Sequence, residues 1–173
     1  MRTGKVFIVS GPAGVGKSTT SKKLAQSLKK SAYISGDLIS NMPISGYEKP
    51  WISIHAKELV WNNIVSLSNN FLRAEYDIVI DWVAFWEDVH TYTALWIEQG
   101  VEVRYVILWA DEDVHVNRDL QRPDNIQMGE RVLILRDEFL ASGAPESFFL
   151  DNTSIDPEKV IVQVLEESRF LIL

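Results

Sequence analysis

Cysteine is absent from the 173-residue sequence, which excludes disulfides, thiolate metal sites and thiol nucleophiles and leaves no sign of an oxidising compartment. Basic residues are the minority charge: 17 Lys and Arg stand against 24 Asp and Glu, a formal net charge of −7. A broad nucleic-acid surface needs the opposite balance, so no nucleic-acid partner is expected, and an anionic ligand has to meet a local positive site. Long apolar runs are lacking as well. The opening MRTGKVFIVSG carries only a short apolar stretch before its glycine, too little for a signal-peptide core or a membrane span. Neither a repeat nor a low-complexity linker divides the chain. The expectation is one cytoplasmic domain over residues 1–173, monomer or homodimer, without a membrane partner, its core drawn from the 46% of residues that are hydrophobic. His55, His90 and His115 show no metal-ligand spacing and are expected to be structural or solvent-facing. Serine-hydrolase elbows and His-Glu-x-x-His pairs are missing too.

What is present alternates. KVFIV (5–9), SAYIS (31–35), YDIVID (76–81), EVRYVILWA (102–110) and SFFLD (147–151) read as strands, separated by segments of helical length. The longest helical candidate starts after Pro50 and runs through residues 51–76; another, WEDVHTYTALWIEQG, ends at Gly100 as its cap. Such alternation favours an α/β fold with a parallel sheet flanked by helices. Residues 41–50 and 122–128 are irregular and read as loops near a ligand. The closing RFLIL is expected to pack on the core.

Between the first strand and the first helix lies GPAGVGKS, residues Gly11 to Ser18, a full match to G-x-x-x-x-G-K-[S/T]. At ordinary residue frequencies such a match arises by chance on the order of once in a hundred chains of this length, and the strand-to-helix setting makes chance rarer still. The glycines let backbone N–H groups curl around phosphate oxygens at the positive end of a helix. Gly11, Ala13, Gly14, Val15 and Gly16 are therefore candidates for the cradle. Lys17 is the cation for the β and γ phosphates, Ser18 the hydroxyl toward Mg²⁺, and Thr19 a contact to the α phosphate.

Neither an Asn-Lys-x-Asp guanine motif nor an Asp-x-x-Gly switch occurs, which argues against a regulatory GTPase. Asp37 follows the second strand, and strand carboxyl ends border the crevice of a parallel sheet. There it has two readings: an N-cap for the next helix, or a base for an acceptor hydroxyl beside the γ phosphate. Asp81 closes the apolar run DIVID in the manner of a metal-approaching acid, with a strand-end turn as the alternative. Arg118 and Arg122 stand four apart on one helical face before Pro123. They read either as a lid over the phosphates, spanning residues 118–131, or as partners of Asp119 and Asp124. Arg131 and Arg136 are weaker candidates, since GERVLILRDEFLA also reads as an ordinary amphipathic helix.

GPAGVGKST, YISGDLISNMP, IVIDWVAF, NRDLQRPDN and FLDNTSIDPEKV occur in this order. On these segments the chain resembles the small P-loop kinases of the group that contains shikimate kinase, gluconate kinase and chloramphenicol phosphotransferase. The resemblance spans most of the chain. It implies a three-layer α/β/α P-loop nucleoside triphosphate hydrolase fold with a five-stranded parallel sheet in the order 2-3-1-4-5. It also implies Asp37 as acceptor base, Lys17 with Arg118 and Arg122 as phosphate clamps, and residues 151–157 beside adenine. The DGFPR-type segment of adenylate kinases is replaced here by DWVAF, which argues against a nucleoside monophosphate acceptor.

Trp82, Phe85 and Trp86 follow Asp81, and Met42, Tyr47 and Trp51 lie in and beside the irregular segment after Asp37. They form a candidate aromatic lining that suits a hydroxylated ring or a partly apolar compound, with core filling as the alternative. Arg131 joins the candidate acceptor site. The function expected is an ATP- and Mg²⁺-dependent transfer of phosphate to a small-molecule hydroxyl. Its rivals are a nucleotide-binding module without catalysis and a toxin-like kinase of a nucleotide sugar.

Overall fold

Five strands form one parallel sheet in the order β2-β3-β1-β4-β5. They are β1 (Lys5–Ser10), β2 (Ser31–Ser35), β3 (Asp77–Asp81), β4 (Glu102–Trp109) and β5 (Phe149–Asp151). The structure, a computed structural model, describes residues 4–124 and 127–173. Asn125 and Ile126, within the lid expected over 118–131, lie outside the described residues. The strand order is the one the kinase resemblance implied. β3 is buried at every position and β1 at all but its first, because helices cover both faces; such strands read as continuous Val/Ile runs rather than alternating ones.

Among the described residues seven α-helices accompany the strands: α1 (Lys17–Ser27), α2 (Gly36–Ser40), α3 (Ile54–Arg73), α4 (Trp86–Glu98), α5 (Glu112–Leu120), α6 (Arg131–Ala141) and, after the last strand, α7 (Pro157–Glu166). α1 packs beside α7, while α3 meets α4 through Trp61 stacked on Tyr92 at 5.0 Å. α3 begins at Ile54 rather than just after Pro50, because the Ser53 side chain accepts a hydrogen bond from Ala56 N and caps it there. α4 ends at Glu98, and Gly100 follows it in the left-handed region with φ 75°. The closing segment packs inward as expected: Phe170 and Ile172 are buried, and Ile172 N donates to Val103 O at 3.0 Å. With the antiparallel bridge from Leu171 to Arg104, this tail covers the part of β4 that the short β5 leaves open.

The register matters most for the site. Val9 of β1 and Ser35 of β2 both pair with Asp81 of β3, and Ser10 pairs with Ile107 of β4. The chain therefore leaves these strands at one edge, bringing residues 11–16, 36–41 and 82–85 together.

Candidate active site

The first of these exits is the glycine loop. Gly11, Gly14 and Gly16 have φ of 131°, 85° and 105°, conformations that side chains with a Cβ rarely adopt. At Gly11 the reason is also steric, since a Cβ would fall 2.4 Å from Leu108 O. α1 starts directly after the loop, at Lys17. Lys17 is buried and its Nζ donates to Pro12 O at 2.9 Å. Burial pulls its pKa below the ordinary lysine value, while the charges of Asp81 and Asp37 act against that fall and Arg122 adds to it.

The second exit bears on the capping reading of Asp37. The N-cap of α2 is Ser35, whose Oγ accepts from Leu38 N at 3.3 Å. Asp37 is thus not the capping residue, and its carboxylate faces the cavity. Gly36 is required by proximity rather than by its dihedral angle. A Cβ there would lie 2.3 to 2.7 Å from three atoms of the Trp82 indole, so the ring rests directly on the backbone that presents Asp37. Desolvation raises the Asp37 pKa above the usual carboxylate value, Lys17 opposes this, Asp81 adds to it, and Arg122 opposes it. Lys17, Asp37, Asp81 and Arg122 therefore form one electrostatic cluster.

The third exit carries Asp81 and the segment Trp82–Phe85. Asp81 is buried, and its Oδ2 accepts from the Tyr33 hydroxyl at 2.7 Å. Burial first, and then the bond to Asp81 and its charge, push the Tyr33 phenol far above its ordinary pKa. Ala84 is clamped from below: its N–H donates to Ser10 Oγ at 2.9 Å, and its carbonyl accepts from Ser10 Oγ at 2.8 Å and Tyr105 Oη at 2.7 Å. The aromatic side chains on either side of Ala84 are thereby fixed.

These exits frame a cavity of about 970 Å³ lined by Ala13, Gly14, Gly16, Lys17, Ser18 and Thr19 together with Asp37, Arg118, Arg122 and Arg131. Trp82, Phe85, Tyr47 and Trp51 complete its aromatic wall. Gly11, Val15 and Asp81, expected at the site, are not among the residues that line this cavity. Trp86 and Met42 differ from the expected lining. The Trp86 ring packs on Phe148 at 5.1 Å and Tyr105 at 6.0 Å, on the far side of the anchored segment, whereas Met42 borders a separate small depression beside α3.

The two arginines also part company. Arg118 donates to Asn152 Oδ1 at 3.0 Å and to the carbonyls of Asn152 and Thr153 at 3.2 and 3.4 Å. Asn152 in turn donates to Val15 O at 2.9 Å, so Arg118 joins the segment after β5 to the glycine loop. Arg122 faces the cavity and pairs with Asp119 at 3.1 Å. Asp119 is 2% exposed and its Oδ2 accepts from Met128 N and Gly129 N, both at 2.9 Å. Burial works against its ionisation, but the N–H groups of Gly129 and Met128 and the Arg122 guanidinium outweigh it and hold the pKa below the usual range.

Sequence reasoning set His115 aside as structural or solvent-facing, and its position under the glycine loop gives it a specific task. It is fully buried; Nε2 bonds to Ala13 O, and Nδ1 lies 3.2 Å from Arg136 Nη1. Arg136 also donates to Ala110 O at 2.6 Å and stacks 4.5 Å over Trp109. Burial lowers the His115 pKa, the Ala13 carbonyl acts in the opposite sense, and Arg136, Lys17 and Arg118 lower it further. The neutral ring with hydrogen on Nε2 satisfies both partners. Nothing in the local sequence marks this contact, which spans 102 residues.

For a magnesium ion, Ser18 stands on the cavity wall, while the Asp81 carboxylate lies off the lining and accepts from the Tyr33 hydroxyl. Among the described residues no group of three or more His, Cys, Asp or Glu side chains is placed to hold a metal by itself. That donor set fits Mg²⁺, which commonly completes its octahedron with water and substrate phosphates.

A family model described as AAA domain matches residues 6–135. No curated protein sequence matches the chain. Among solved structures, the APS kinase of Mycobacterium tuberculosis in complex with AMPPNP and APS aligns with TM-score 0.68 at 12% identity, over 96% of this chain and 98% of that one. The tunicamycin resistance protein of Deinococcus radiodurans aligns with TM-score 0.66 at 17% identity, over 98% and 99%. A gluconokinase of Sinorhizobium meliloti aligns with TM-score 0.58 at 18% identity, over 95% and 91%. At these identities the likeness shows the fold.

Proposed function

The chain belongs to the AAA domain family, and from that premise we propose that it is a kinase transferring the terminal phosphoryl group of ATP to a hydroxyl of a small molecule, with Mg²⁺ as cofactor. The observation that carries this reading is the shared cavity of Lys17 and Asp37, a cation in the phosphate cradle and a carboxylate within its electrostatic reach. Kinase neighbours over nearly the whole chain support the same reading.

The nucleotide phosphates lie against the backbone of residues 13–16 and the first turn of α1. On binding, Lys17 exchanges its bond to Pro12 O for phosphate oxygens. Asp37 accepts the proton from the acceptor hydroxyl as that oxygen bonds to the γ phosphorus, while the bond from that phosphorus to the β–γ bridging oxygen breaks and ADP leaves. Arg122 comes from the α5 side to the equatorial oxygens, while Arg118, tied to Asn152 and Thr153, shapes the nucleotide side. Ser18 and Asp81 would hold Mg²⁺, which would offset phosphate charge when bound. Trp82 and Phe85 form the floor for the acceptor, and the walls keep out water that would otherwise compete for the phosphoryl group.

The test is incubation with ATP, Mg²⁺ and a broad mixture of hydroxylated compounds, followed by mass spectrometry. A product heavier than its parent by one phosphoryl group is expected. Tight ATP binding without any phosphorylated product would instead identify a non-catalytic nucleotide module.

A further inference from the structure

Beyond the phosphate cradle, the cavity is bounded by α3, the first turn of α4 and α6, over the floor of Trp82, Val83 and Phe85. Basic side chains reach this half from two helices, and both are already engaged. Lys57 of α3 pairs with Asp88 of α4 at 2.7 Å. The Arg131 guanidinium makes a two-pronged contact with Glu138 one face along α6, at 2.8 and 3.0 Å. The hydrogen bond that Lys57 donates to Asp88, more than any other influence, raises the Lys57 pKa; burial opposes this, and the charges of Asp88 and Glu87 support it. Glu87 contributes a third carboxylate to the same wall. Two cations thus meet three carboxylates. The remaining basic groups of the cavity, Lys17, Arg118 and Arg122, stand at the cradle, on Asn152 and on Asp119.

A carboxylate or phosphate on the acceptor would find no unpaired cation among the described residues of this wall. It would have to compete with Asp88 or Glu138 for a partly exposed cation or sit beside a net negative surface, and charge complementarity disfavours both. Carboxylate oxygens are acceptors only, so the groups they favour are O–H and N–H donors. The faces of Tyr47, Trp51 and Trp82 suit a ring that presents C–H and hydroxyl groups. We propose that the acceptor is a polyhydroxylated compound without negative charge, neutral or amine-bearing, selected by the Lys57–Asp88 and Arg131–Glu138 pairs with Glu87. This inference rests on the phosphotransfer reading and adds the charge class of its substrate.

The experiment sorts a mixture of hydroxylated metabolites and natural products into neutral, cation-exchange-retained and anion-exchange-retained pools. Each pool is incubated with the intact protein, Mg²⁺ and ATP labelled in the γ phosphate, and labelled small molecules are separated from ATP and inorganic phosphate. Label confined to the neutral and cationic pools is the expected result. Label on any compound of the anionic pool overturns the charge assignment and leaves the kinase reading standing. Label in no pool removes the kinase reading and this inference with it. A second arm uses Glu138→Gln, which frees Arg131. Relative to the parent protein, label in the anionic pool should rise at least tenfold against label in the neutral pool. An unchanged ratio in a variant that keeps its turnover in the neutral pool overturns the role of that pair.

Discussion

Gly36→Ala isolates the contact that presents Asp37. At an ordinary helical position this change stabilises by about 0.5–1 kcal/mol, because glycine loses more freedom on folding. Here the new Cβ falls 2.3, 2.4 and 2.7 Å from Cε3, Cδ2 and Cγ of Trp82, far inside van der Waals contact. The ring has little room to retreat: it is 8% exposed, and its backbone N–H is directed at Val9 O. Overpacking of this kind costs about 1–3 kcal/mol, so the net effect is a loss of up to about 2.5 kcal/mol. At about 2–4 °C per kcal/mol for a chain of this size, the melting temperature should fall by up to roughly 10 °C. The larger effect is on the rate, since displacing Asp37 by an ångström costs on the order of a hundredfold in kcat. Nucleotide affinity should stay near the parental value, because the cradle is a separate segment. Thermal denaturation and initial rates measure both quantities, and Gly36→Ala combined with Trp82→Leu should recover stability relative to Gly36→Ala alone. A Gly36→Ala protein more stable than its parent, with undiminished kcat, would refute the reasoning.

Asp119, whose folded-state pKa is depressed, contributes stability that is present above the unfolded carboxylate value of about 3.9 and lost as the pH falls through the folded value. Asp119→Ala should therefore cost about 1–3 kcal/mol at neutral pH, discounted for the partial exposure of Arg122, with the difference shrinking in acid. Melting curves from neutral to acidic pH check this, and parallel profiles of parent and variant would contradict it. His115→Leu leaves Ala13 O without its partner and should weaken nucleotide binding about tenfold, with His115→Gln weakening it less; calorimetric titration with ATP reads the difference, and unchanged affinity in both variants would exclude the brace. Because the Asp37 pKa is raised, the fall of kcat/KM in acid should set in above the range of an ordinary carboxylate near 3.9, as a pH–rate profile would show.

The nucleotide end was legible because its information is contiguous. Gly11 to Ser18 sit on one short segment between a strand run and a helix run, Asp81 closes a strand, and Asp37 follows the end of another by two residues. The sheet order followed from the likeness to small kinases, since strand runs alone do not state which neighbours pair. Residues that act across the chain were not legible. Gly36 looks like a turn glycine until Trp82 is seen lying on it. His115 is a scattered histidine until it meets Ala13. Arg118 and Arg122 share a helical face in the sequence, yet the turn after β5 captures one and Asp119 the other. Trp86 was drawn toward the cavity by its neighbours Trp82 and Phe85, but the helix that starts at Trp86 turns its ring onto Phe148 and Tyr105. For Gly36, His115, Arg118 and Trp86 a distant partner decides the outcome and local pattern holds no record of it, whereas the pairing of Arg122 with Asp119 was one of the readings the sequence offered.

Asp37→Asn gives the most direct measurement of the whole account. The substitution keeps size and polarity while removing the proton acceptor, so ATP should bind within about twofold of parental affinity, while the single-turnover transfer rate to the acceptor falls by about 10²–10⁴-fold. Transfer at the parental rate in a variant that binds ATP normally would show that Asp37 does not take the acceptor's proton.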